Sequence, residues 1–191
     1  DEGRLRGALG IALTSWDEYR PSLDQCRRHL AIAQEMGDRP SEAQALQHLA
    51  QLEAMSQGDE SSIAYNQQAL EIVRELRDRA GEAHVQGALA RSRLDLGRHE
   101  EGIADLKAVL AIAKELADED LIRVTVGNLA FAQQDVGELE TAIESYALLV
   151  DIERQHKSRS GEAAALWNLA QARLMTDDED QAIADAEEAV R

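Results

Sequence analysis

A leucine returns at every fortieth position of the chain, at Leu9, Leu49, Leu89, Leu129 and Leu169, with no gap or insertion. The residue after it is always small: Gly10, Ala50, Ala90, Ala130 and Ala170. Fourteen positions after the leucine stands an aliphatic column, Leu23, Ile63, Ile103, Ile143 and Ile183. A second small column precedes it, Ser22, Ser62, Gly102, Ala142 and Ala182. Further on come Leu30, Leu70, Leu110, Val150 and Val190, and a column complete in four units, Ile32, Ile72, Ile112 and Ile152. In the third unit the apolar positions run Ile103, Leu106, Val109, Leu110 and Ala113, the spacing of an amphipathic helix.

A fixed period of this length predicts a tandem array whose core forms by stacking near-identical units. The units are 1–40, 41–80, 81–120, 121–160 and a truncated 161–191, forming a single array over 1–191. Each is predicted to hold two helices, helix A with the leucine and helix B with the aliphatic columns, ten helices in all. Breaks fall at Gly58, Gly97 and Gly137 inside units and at Gly37-Asp38-Arg39-Pro40 between the first two. Ser41-Glu42 and Gly81-Glu82 supply a cap and an acid at predicted helix starts.

A Leu-small pair in helix A, followed by a small residue thirteen positions after the leucine in helix B, resembles the tetratricopeptide repeat (TPR). Asn128-Leu129-Ala130 and Asn168-Leu169-Ala170 look like its helix A core. The period exceeds the usual one of about thirty-four residues. In this it resembles the longer subclass of kinesin light chains, spindle-orientation adaptors and bacterial ATPase-type transcriptional regulators. The resemblance spans the whole chain and implies an all-α, right-handed superhelical α-solenoid with a concave wall lined by the A helices. It has one departure. The tyrosine expected four positions after the leucine is Leu13, Glu53, Arg93, Gln133 and Arg173.

Composition narrows the picture. Aromatics make up 3% of the chain, so the core is built from Leu, Ile, Val and Ala, which suits a helical array and argues against a β-sandwich. The formal charge of −17, from 37 acids against 20 Lys and Arg, argues against nucleic-acid binding by this segment. The acidic runs Asp118-Glu119-Asp120 and Asp177-Asp178-Glu179-Asp180 fall at predicted turns, where acids suit the next helix start. No apolar run approaches the roughly twenty residues of a membrane span. Cys26 stands alone, which fits a reducing cytoplasm, and it is expected in the inward face of a helix B between Leu23 and Leu30. The excess of Arg over Lys hints at a bacterial source.

No catalytic or metal signature is present. The five histidines are not spaced to chelate on one helix face, and the phosphate-loop, dinucleotide-turn and nucleophile-elbow patterns are missing. The chain is therefore read as a non-enzyme without cofactor or metal.

Helical geometry of about 100° per residue places the binding wall opposite the repeat leucine. The first unit contributes Arg4, Gly7, Ala8 and Ile11 to it, and the second Gln44, Gln47, His48, Gln51 and Met55. The third contributes His84, Gly87, Ala88, Arg91 and Asp95, and the fourth Val124, Gly127, Asn128, Phe131 and Asp135. The fifth contributes Ala164, Trp167, Asn168, Gln171 and Met175. Asn128, Asn168, Arg91, Gln171, Gln51, His48 and Gln47 are the candidate polar contacts, and Phe131 and Trp167 the apolar ones. Gly7, Gly87 and Gly127 share one column. It leaves room for a ligand close to the backbone, serves close packing between A helices, or reflects drift in a permissive column.

The expected function is a non-catalytic protein- or peptide-binding scaffold. The alternative is a sensor or oligomerisation arm of a larger, bacterial signalling or transcriptional regulator. The last helix, predicted over Asp180–Arg191, turns Ile183, Ala186, Ala189 and Val190 toward nothing. A capping or continuing segment, or a homo-oligomer formed through this helix, would cover them.

Overall fold

Nine α-helices and no strand occupy the residues described by the computed structural model, 21–55 and 59–190. Helix α1 covers residues 21–36. It is followed by α2 (Arg39–Met55), α3 (Asp59–Glu75), α4 (Arg79–Asp95) and α5 (His99–Leu116). The remainder are α6 (Glu119–Asp135), α7 (Leu139–Gln155), α8 (Arg159–Leu174) and α9 (Glu179–Ala189). Helices α2, α4, α6 and α8 carry the repeat leucine, and the odd-numbered helices are the B helices. The first helix A, with Leu9, Gly10, Trp16 and Tyr19 and the wall positions Arg4, Gly7, Ala8 and Ile11, lies outside the described residues, as does Gly58.

Two compact units make up the chain, Asp1–Ser92 and Arg93–Arg191, with the boundary inside α4. In the first, α2 packs along α3. Its core holds Leu46, Leu49, Ala50, Ile63, Leu70 and Leu89, and the buried hydroxyls of Ser62 and Ser92 bond at 3.0 Å between α3 and α4. In the second, α5 through α9 pack each on the next. Tyr146 and Val150 of α7 sit against Leu166, Leu169 and Ala172 of α8 and Ala130 of α6. The small columns are where backbones approach: Ala50, Ala90, Ala130, Ala142 and Ala182 are buried.

Each described turn closes in the same way. One residue within three positions of the helix end takes a left-handed backbone, at Gly37, Arg77, Gly97, Ala117, Gly137, Lys157 and Asp177. Its N–H, and that of the next residue, return to carbonyls of the last turn, as in Ala117 N to Lys114 O and Asp118 N to Ala113 O. The next helix A is then capped from column 38. Asp38, Asp78, Asp118 and Ser158 accept the backbone N–H of Ser41, Gly81, Leu121 and Gly161. The cap thus stands three residues before Ser41 and Gly81, where the sequence reading placed it. Arg39-Pro40 opens α2 instead of breaking the chain, because a proline in the first turn has no intrahelical N–H to lose.

Position four after the leucine, where the TPR tyrosine is missing, is a polar clasp between the helices of one hairpin in the third, fourth and fifth units, while Glu53 of the second faces Arg27 of α1 at 3.9 Å. Arg93 Nη1 donates to Asp105 Oδ2 at 2.6 Å, Ser145 Oγ bonds Gln133 Oε1 at 2.8 Å, and Arg173 Nη1 donates to Asp185 Oδ2 at 2.5 Å. Arg93 Nε also lies 3.3 Å from Glu101 but is not aligned to bond it.

A second polar insertion sits in the column Ala33, Val73, Ala113 and Glu153, all inward on B helices. The Glu153 carboxylate is buried, 3.4 Å from Arg123 through Oε1, and its other oxygen accepts no hydrogen bond. That second oxygen occupies the place of a side chain at Gly161, where a Cβ would fall 2.1 Å from it.

Cys26 is half-buried, whereas its counterparts Asn66, Leu106 and Tyr146 are buried. At the other end Ile183 is 56% exposed, while Leu23, Ile63 and Ile103 of the same column are buried.

Candidate functional site: the exposed face of the A helices

The buried leucine fixes which way each described A helix is rotated, with the clasp beside it on α4, α6 and α8, and so decides what the helix presents outward. With Leu49, Leu89, Leu129 and Leu169 buried, columns five before, two after and six after the leucine are exposed in every described unit. In the first compact unit Gln44, His48, Gln51 and Met55 of α2 are exposed and Gln47 is half-buried; His84 and Arg91 of α4 are exposed. In the second, α6 exposes Val124, Asn128, Phe131 and Asp135. On α8, Ala164, Trp167, Gln171 and Met175 are exposed and Asn168 is half-buried. Helices α6 and α8 meet at one end of this face, where Gln134 Nε2 lies 3.6 Å from Met175 Sδ.

The candidate residues therefore fall into two groups. Gln47, His48, Gln51 and Arg91 belong to the first compact unit, and Asn128, Phe131, Trp167, Asn168 and Gln171 to the second. Among the described residues, the side chains of Asn128, Asn168, Gln51, Gln171, Gln47, His48 and Arg91 make no hydrogen bond or ion pair with the rest of the chain. Their donors and acceptors face outward with nothing internal to hold them. Phe131, the chain's single phenylalanine, is 67% exposed, and Trp167, one of two tryptophans, 53%.

The glycine column can be settled in part. A Cβ at Gly87 would meet nothing within 4 Å, and one at Gly127 would only touch Leu149 Cδ2 at an ordinary 3.5 Å. Close packing between A helices is therefore not what these glycines serve.

Charge is arranged elsewhere. Along the hairpin edges Arg74 bonds Glu82 at 2.8 Å and Gln86 at 3.0 Å, and Arg154 bonds Glu162 at 2.7 Å and Glu188 at 2.5 Å. Arg39 bridges Glu42 and Glu75. Burial alone would push the Glu82 carboxyl up, but hydrogen bonds from Arg74 and Arg79 outweigh it and leave it lowered. The hydroxyl and amide of Ser41 likewise hold Asp38 below its ordinary value. Burial raises the phenol of Tyr146. A crevice of about 430 Å³ lies at the turns after α4 and α6, lined by Gly97, Arg98, His99, Glu100, Glu101 and Val136. His99 Nδ1 stands 3.7 Å from Asp135 there. No cluster of three metal-ligating side chains occurs among the described residues, and none of their helices is long and apolar enough to cross a membrane.

The sequence reading missed the clasp and the Arg123–Glu153–Gly161 insertion. The clasp has a signal: Arg93 and Asp105, Gln133 and Ser145, and Arg173 and Asp185 share a spacing of twelve.

No protein-family model matches the chain, and no curated protein sequence does either. Solved structures do. TPR-like repeats from Podosopora anserina, assigned to a kinesin light chain, align with a TM-score of 0.78 at 20% identity, over 99% of this chain and 94% of that one. A STAND (signal transduction ATPase with numerous domains) protein of Pyrococcus horikoshii with a tetratricopeptide repeat sensor aligns with a TM-score of 0.78 at 17% identity, over 90% of this chain and 26% of that one. A Rap protein complexed with Competence and Sporulation Factor aligns with a TM-score of 0.65 at 16% identity, over 95% of this chain and 51% of that one. The fold is thus that of the TPR-like α-solenoids. Its forty-residue period and all-helical hairpins agree with the subclass the sequence resembles.

Proposed function

We propose that this chain is a non-catalytic scaffold that binds a protein or peptide segment on the exposed faces of its A helices. The observation that carries the reading is the pairing of unbonded amides with exposed aromatics on α6 and α8: Asn128 and Asn168 beside Phe131 and Trp167. An amide side chain can give and accept a hydrogen bond at once, so it can pair with the N–H and C=O of a main chain whatever its side chains. An aromatic ring adds contact area at small entropic cost. The Rap structure, solved with a bound factor, supports the use of such a fold for binding. Peptides selected from a display library on the chain test this. Asn128→Ala with Asn168→Ala should weaken their binding by about tenfold or more. Unchanged affinity in the double variant sinks the assignment.

A second reading, a sensor or oligomerisation arm of a larger regulator, is favoured by the likeness to the STAND sensor and by the uncovered Ile183 on α9. It predicts concentration-dependent association in light scattering that Ile183→Glu abolishes. A strict monomer would argue against the self-association form of it.

A further inference from the structure

The A-helix face of the second compact unit differs in charge from the acidic chain as a whole. The chain carries 37 acids against 20 Lys and Arg, yet of the ten wall residues on α6 and α8 only Asp135 is ionisable. In a chain with 3% aromatic residues, two large rings stand exposed on this one face. Such exposure of scarce apolar surface is what marks a contact patch.

We infer, on the footing of the binding role proposed above, that the occupant of this face is an uncharged, extended segment with aromatic or aliphatic side chains. Three arguments converge on that chemistry. An acidic segment is repelled by the field of a chain at −17 and finds no cation in the ten wall positions of α6 and α8 to offset it. A basic segment is attracted, but toward the exposed acids of the B helices, such as Glu140, Glu144 and Asp151 of α7, rather than toward a face with a single carboxylate. A neutral segment gains nothing from those acids and can bury its apolar side chains against Phe131, Trp167, Val124 and Met175. The amides settle its conformation. In a helix the main-chain groups are already paired except at the ends, whereas an extended segment offers Asn128 and Asn168 a free N–H and C=O.

Three matched sets of short peptides, blocked at both ends, test this by calorimetry on the full chain. The first is built only from Ala, Ser, Leu, Phe and Trp. The second places Lys at alternate positions and the third Glu. Binders should come from the uncharged set, and their affinity should change less than about twofold between about 50 mM and about 500 mM salt. Trp167→Ala and Phe131→Ala should each weaken them about tenfold, with helix content by circular dichroism unchanged. Failure of the uncharged set to bind overturns the inference. If a charged set binds instead and Trp167→Ala abolishes it, the face is the site but its chemistry is wrong. If a charged set binds and neither aromatic variant matters, both the inference and the binding face fall.

Discussion

Arg93 of α4 grips Asp105 of α5 at 2.6 Å, and eighty residues later Arg173 of α8 grips Asp185 of α9 at 2.5 Å. This polar clasp stands where the resemblance led a tyrosine to be expected, and it ties the two helices of a hairpin together across their shared face. Arg93 and Asp105 are 16% and 7% exposed at the side chain, so neither charge is well hydrated once its partner is gone. Asp105→Ala should therefore cost about 3 kcal/mol, while Arg93→Met with Asp105→Leu should cost less than about 1 kcal/mol, because a packed apolar pair replaces a packed ionic one. Urea denaturation of the three chains checks this.

Glycine substitutions should split by position. Gly87→Ala and Gly127→Ala add a methyl into open space or ordinary contact and should each raise stability by about 1 kcal/mol. Gly161→Ala forces the buried Glu153 carboxylate off its seat beside Arg123 and should lower the melting temperature instead. The first two form a useful pair with the binding assay. A variant that is more stable yet binds its peptide less well would show that the glycines serve approach to the backbone.

The left-handed turn column offers a stabilising change. Ala117 holds φ 53° with no side-chain compensation, and Ala117→Gly should stabilise by about 1 kcal/mol, seen as a higher melting temperature. Gly137→Ala, at φ 79°, should move it the other way.

Acid should weaken the fold through the capping and edge carboxylates. Asp38 and Glu82 have folded values below their ordinary ones, so the folded chain holds them charged more readily than the unfolded chain does. Their contribution is complete above the ordinary carboxylate range, about pH 4, and is lost as the pH falls through their folded values. A melting temperature that is level from pH 7 to about pH 5 and drops below about pH 4 is expected, with a shallower drop in Asp38→Asn.

Much of this was legible in the sequence because the period is unbroken. Leu129 could be placed inward and Phe131 outward from spacing alone, since two residues along a helix turn a side chain through about 200°. The cap at Asp38 was not legible in the same way. Ser41 is an equally good cap by type, and only the backbone shows that Pro40 is already helical. Glu153 was hidden because it interrupts an apolar column once. Its partners Arg123 and Gly161 lie thirty residues before and eight after, a relation that packing makes and no local pattern announces.

The most direct measurement places a photo-crosslinking residue on each side of the second compact unit, in place of Gln171 on the exposed face of α8 and of Glu144 on the exposed face of α7. Illuminated with a peptide selected for binding, the chain labelled at 171 should capture it and the chain labelled at 144 should not. Capture at 144 with none at 171 would contradict the account.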